Sequence, residues 1–162
     1  MTQGAVHMRK RWTLGAAAAL VAVGFAAPAS AAGPTRAELV GAVQIDSEDP
    51  TVAYITANYR CYGEGFLWVS VKQVADRSRD TALLGDGSSG ISAAWSMSHR
   101  VSVTCDGKVH VQTFTVDQFE TDLFGFPNGD LEEGFGYVQF CLFDDNYPNA
   151  PLSDMELRRV HD

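Results

Sequence analysis

The sequence predicts an all-β domain, and three observations carry that reading. Between residues 32 and 162 no window sustains apolar residues at i, i+3, i+4 and i+7, whereas several short segments alternate apolar and polar with period two. Gly-rich turns separate these segments, and no crossover helices lie between them. About seven short strands of this kind fit an antiparallel β-sandwich, with a small barrel as the alternative.

The elements follow in chain order. Met1 to Ala31 reads as a cleaved secretory signal, with Arg9-Lys10-Arg11, an apolar run from Trp12 to Ala27 and an A-x-A site at Ala29-Ser30-Ala31. That run is about 16 residues, short of the roughly 20 that cross a bilayer. Residues 32–162 then form one domain, opened by a strand over Glu38 to Ile45. In Thr51 to Cys61, Ala53, Ile55, Ala57, Tyr59 and Cys61 share one face and Tyr54, Thr56, Asn58 and Arg60 the other. A tight Gly63-Glu64-Gly65 turn leads to Phe66 to Val74, where Leu67, Val69 and Val71 oppose Trp68, Ser70 and Lys72.

Ala75 to Gly90 reads as a long loop, and its Gly87-Ser88-Ser89-Gly90 does not match a nucleophile elbow. Apolar residues fill the odd positions from Ile91 to Cys105 except His99, a run too long for one strand, so a break is expected near Ser98-His99-Arg100. A three-residue loop of Cys105, Asp106 and Gly107 would pair Val103 with Val109 and Val101 with Val111, with Gly107 left-handed and His110 on the solvated face. Further strands are expected over Val109 to Val116, Tyr137 to Phe143 and weakly Leu157 to Val160. Asp117 to Gly136 is a second long loop, with one helical turn over Asp117 to Phe124.

The chain carries 12 basic and 20 acidic residues, and removal of the signal leaves 9 against 20, a net charge of −11. Clustered Lys and Arg are scarce, so nucleic acid is not expected as a partner. The export signal implies a secreted, extracellular monomer without membrane attachment after cleavage.

All three cysteines lie beyond the signal, in a compartment that oxidises suitably placed pairs. Cys61 and Cys105 both sit at strand ends and are the expected disulfide. Cys141, between Phe140 and Leu142, reads as a small buried hydrophobe, with pairing to a second chain or to either of the others as alternatives.

A Cys, Trp and Cys on a β-rich chain resembles the immunoglobulin sandwich in broad architecture, although that fold places its Trp farther beyond the first Cys, and here Tyr59-Arg60-Cys61 stands at the first cysteine rather than the second. With Cys105-Asp106-Gly107 and His110, that motif resembles a class of small exported actinobacterial proteins of uncharacterised function. The resemblance implies a sandwich with one disulfide and no particular activity.

No motif-bearing nucleophile accompanies His99, His110 or His161, so no catalytic residue is named. Zinc spacing is absent as well. No cofactor is expected beyond calcium, for which Asp130, Glu132, Asp144 and Asp145 supply oxygen ligands, although the order of residues after Asn128 is not that of an EF-hand. Trp68, Phe124, Phe126, Phe135 and Tyr147 are surplus aromatics in or beside loops or on a polar strand face, and they form the candidate binding surface. The function expected is a non-catalytic module that binds an extracellular glycan or protein. Its alternatives are a small hydrolase using paired carboxylates of the 117–133 loop and a protease inhibitor.

Overall fold

Strand-forming alternation dominates the computed structural model, which describes residues 33–84, 92–98, 100–118, 128–149 and 151–162. The signal at 1–31, Gly87–Gly90, His99, Phe124, Phe126 and most of the turn expected at 117–124 lie outside those residues. Eight strands are present among the described residues: β1 (Arg36–Ile45), β2 (Ala53–Arg60), β3 (Gly65–Gln73), β4 (Ala94–Met97), β5 (Val101–Val103), β6 (His110–Val116), β7 (Gly134–Phe143) and β8 (Leu152–His161). The loop after β3 contains one 3-10 turn, Thr81–Leu84. Among the described residues no helix is long and apolar enough to cross a membrane.

The all-β class holds. The strands form one mixed sheet in the order β4-β3-β7-β8-β1-β2-β6, with β5 extending the β4 side of β3, and the sheet curls into a half-barrel compatible with a sandwich or a small barrel. Its two edges touch where Met97 and Asp117 exchange backbone hydrogen bonds of 2.8 and 3.1 Å. All pairs are antiparallel except β1 with β8, which run parallel at Val43–Val160 and Gln44–His161. Val43 and Val160, each 1% exposed, bury against the same core, and this holds the last strand beside the first.

β2 matches its alternation residue for residue, with Ala53, Ile55, Ala57 and Tyr59 buried. β1 pairs with it but shifts register between Val40 and Gln44, where Gly41 takes the left-handed φ of +75° that a bulge requires. The break expected in the 91–105 run is seen: β4 and β5 both pair with β3, at Gln73–Ser70 and Leu67–Gly65 respectively, with residues 98–100 between them. Leu67, Val69, Val71, Phe114, Val138, Phe140 and Leu142 complete the core.

The Gly63-Glu64-Gly65 turn does join β2 to β3, and the two strands then pair elsewhere, β2 with β1 and β6 and β3 with β4, β5 and β7. Two expectations are corrected. β5 and β6 do not pair as Val103–Val109 and Val101–Val111. β6 lies on β2, which puts Phe114 and Val116 inside and leaves Val109 and Val111 42% and 65% exposed. The strand carries apolar residues on both faces, and burying Phe114 against Ile55 fixes the register. Gly107 is left-handed as expected, at φ +78°. β8 is also longer than predicted, because hydrogen bonding along nine residue pairs with β7 extends it beyond its apolar stretch.

Candidate functional site

The inward pointing of Leu67, Val69 and Val71 sends Phe66, Trp68, Ser70 and Lys72 to the outer face of β3. There they stand opposite Phe143, Cys141, Gln139 and Tyr137 of β7. Trp68 is 37% exposed, and a dent of about 70 Å³ beside it is lined by Ser70, Trp95, Gln139 and Cys141. Such a volume admits a ring substituent rather than a whole ligand, so the feature acts as an open platform. Around it the face is well packed. Phe66 and Phe143 stack at 4.4 Å, the Arg100 guanidinium lies 3.5 Å from the Phe66 ring centroid, and Lys72 Nζ lies 5.4 Å from that of Trp95.

The other aromatics expected at a common surface are spread out. Phe135 is half-buried on β7, with the Arg79 guanidinium 4.2 Å from its ring and that of Arg159 at 5.9 Å. Six residues along β7 separate it from Cys141, the partner of Trp68, a distance of about 20 Å. Tyr147, 37% exposed, lines a groove of about 570 Å³ with Pro34, Thr35, Tyr62 and Asn146 at the far end of β7. Phe124 and Phe126 lie outside the described residues.

At that far end the Asp144–Pro148 loop is held by a buried carboxylate. Asp144, 3% exposed, accepts hydrogen bonds from Thr35 Oγ1 at 2.7 Å, Tyr62 N at 3.0 Å, Asn146 N at 2.9 Å and Tyr147 N at 3.0 Å. The Tyr62 hydroxyl donates to the carbonyl of Gly33, tying the start of the domain to the same point. On the opposite side of the loop is a second groove, of about 580 Å³, whose walls include Glu64, Phe66, Ser102, Phe143, Asp145 and Pro148.

The four calcium candidates do not converge. Asp130 and Glu132 precede β7, where Arg77 donates to the Asp130 carbonyl at 3.1 Å and pairs with Glu132 at 3.0 Å. Asp144 and Asp145 follow β7, about 30 Å away along the strand. Among the described residues no group of three or more His, Cys, Asp or Glu side chains is placed to hold a metal ion.

The expected disulfide joins Cys61 to Cys105, and Cys141 stays outside it, half-buried on the outer face. Beside the disulfide, His110 departs from its expected solvated position. It stacks on Tyr59 at 5.6 Å and its Nε2 lies 2.8 Å from Asp106 Oδ1. The reason is the inverted facing of β6, which turns His110 inward next to Tyr59. The hydrogen bond from His110, then that from the Lys108 backbone N–H, pulls the Asp106 carboxyl down to about 2. Burial pushes the Tyr59 phenol up.

Sequence reasoning found Trp68 by its polar-face parity but missed Phe66, Phe143, Trp95, Arg100 and Glu64. Their grouping depends on the pairing of β3 with β7, which brings together residues more than sixty positions apart. No protein-family model matches the chain, and no curated protein matches it.

Proposed function

We propose that residues 32–162 are an exported, non-catalytic module that binds an extracellular glycan through the outer face centred on Trp68. The observation that carries this reading is a Trp ring more than a third exposed on β3, the strand next to the sheet edge, with Trp95, Ser70 and Gln139 around the dent beside it. A flat indole offers apolar area to the C–H face of a sugar, and the amide and hydroxyl beside it can orient sugar hydroxyls. Export is supported by the signal pattern of the first 31 residues, and the Cys61–Cys105 disulfide is consistent with an oxidising compartment. Of the carboxylates of the 117–133 loop that motivated a hydrolase reading, Glu132 is engaged in an ion pair with Arg77.

The test is affinity electrophoresis and calorimetry of residues 32–162 against a panel of soluble polysaccharides and cell-wall fragments. Retardation by at least one glycan is expected, with a tenfold or greater loss of affinity in Trp68→Ala. Binding that survives Trp68→Ala unchanged, or no retardation across the panel, overturns the reading.

A further inference from the structure

We infer that the polysaccharide taken by the Trp68 face is an acidic one, bearing carboxylate or phosphate groups that Arg79, Arg100 and Arg159 receive. This rests on the glycan reading and names its substrate class. On the outer face, β3 presents Phe66, Trp68, Ser70 and Lys72, while β7 presents alternate residues from Phe135 to Phe143 and β8 alternate residues from Ser153 to His161. None of these is Asp or Glu. Acids begin only beyond the strand ends, at Glu64, Glu133 and Asp145. In a domain with 20 acidic and 9 basic residues, that absence sets the face apart.

The cations of this face are built into it. All five contacts between a cation and an aromatic ring among the described residues lie here: Arg79 and Arg159 on Phe135, Arg100 on Phe66 and Phe143, and Lys72 on Trp95. Lys72 is buried, whereas the three arginines are exposed. Four basic side chains elsewhere are neutralised by carboxylates, Arg36 by Glu38, Arg77 by Glu132, Lys108 by Asp106 and Arg158 by Glu156. Among the described residues neither Arg79, Arg100 nor Arg159 has an ion-pair partner. A guanidinium held against a ring is already positioned, and its fork of N–H donors matches two oxygens of a carboxylate or phosphate.

Spacing favours a polymer. Arg79 and Arg159 lie at Phe135 and Arg100 at Phe143, the two ends of the outer row of β7, with Trp68 between them opposite Cys141. The ends are about 27 Å apart at the rise of a strand. A single sugar cannot reach both, but a chain with recurring charges can. The net charge of −11 on residues 32–162 does not cancel the attraction. At physiological salt, exposed charges farther away than about 8 Å are largely screened, whereas the bound anion lies against the guanidinium.

The experiment is calorimetry of residues 32–162 with two pairs of polymers, polygalacturonate with its methyl ester and phosphomannan with neutral mannan. At least one acidic polymer is expected to bind tenfold or more tightly than its neutral counterpart, and which of them does so tells carboxylate from phosphate. The triple variant R79Q/R100Q/R159Q is expected to lose tenfold or more for that polymer and R100Q alone about threefold. K108Q, which removes one exposed charge beside Asp106, is expected to change it less than twofold. Equal binding of neutral and acidic polymers, lost in Trp68→Ala, would overturn the acidic assignment and leave the glycan face standing. If none of the four binds, the acidic assignment fails and the wider glycan panel decides the face separately. A loss in K108Q equal to that in R100Q, or single-stranded DNA bound more tightly than either acidic polymer, would also overturn the proposal.

Discussion

The two halves of the sheet treat their outer faces differently. In β1, β2 and β6 the rows Glu38–Asn58–Val111, Val40–Thr56–Thr113 and Gln44–Tyr54–Thr115 face outward, with β2 half-buried and the β1 and β6 residues exposed. The only side-chain hydrogen bond between β2 and β6 on this face that spans the strands is Thr56–Thr113 at 2.8 Å among the described residues. In β3 the outer side is covered at Ser70 and Lys72, both 6% exposed, and on the inner side Gln73 is fully buried. Gln73 spends its amide on the chain before β7, donating to the Glu132 carbonyl at 2.8 Å and accepting from Glu132 N at 3.0 Å. One half is a sheet with a dry side and a wet side; in the other the outer side is partly covered, and Trp68 stands exposed on it. The difference teaches that the exposed aromatic belongs to the half whose outer face is more covered.

The largest test of this contrast removes a ring from the more covered half. Phe140→Ala, at a fully buried position, is expected to cost about 3–5 kcal/mol in urea unfolding, whereas Thr113→Ala on the wet face should stay within about 0.5 kcal/mol. Comparable losses would erase the distinction. The link between the halves at Cys61–Cys105 spans 44 residues, and replacing both cysteines by Ala is expected to lower stability by about 4 kcal/mol on the chain-entropy argument. Next comes Asp144→Asn, which replaces one acceptor oxygen by an NH2 aimed at existing donors. A loss of about 1–3 kcal/mol is expected, together with faster amide exchange at Tyr62, Asn146 and Tyr147; unchanged exchange would show that the carboxylate does not hold the loop.

The smallest effect concerns acid. Asp106 titrates at about 2 in the folded chain against 3.8 for the free side chain, so its contribution is fully present above about pH 4 and is lost as pH falls through 2. Asp46, lowered chiefly by the Tyr54 hydroxyl and then by backbone N–H groups, acts in the same direction. Asp106→Asn should therefore flatten, without abolishing, the rise of stability with pH between about 2 and 4 in guanidinium titrations. A slope identical to that of the parent would contradict the His110–Asp106 pairing.

Legibility did not follow the division between the halves. β2 follows period two throughout, and Gly107 and the break at residues 98–100 announce themselves by residue type. β6 was misread because Val109 and Val111 mark one face and Phe114 and Val116 the other, and only contact with β2 decides between them. β8 was underestimated for a related reason: Asp154, Glu156 and Arg158 occupy the facing that apolar residues hold on β7. Arg158 pairs with Glu156 and donates to the Leu39 carbonyl at 3.1 Å, and a polar cluster of this kind leaves no hydrophobic trace in the sequence. The site residues were legible only singly. Trp68 stood out by parity, but Phe66, Phe143 and Arg100 become neighbours only through pairing across most of the domain.

The place of β8 sets the order in which this fold can be assembled. The strand latest in the chain lies between β7 and β1, in the middle of the sheet, and joins the two halves described above. During synthesis, β1 and β2 on one side and β3 and β7 on the other can meet early, yet the seam between them stays open until residues 152–161 arrive. Such non-local closure makes for slow folding. β8 therefore completes the sheet between β7 and β1, while Met97–Asp117 and the Cys61–Cys105 disulfide tie the same halves together elsewhere.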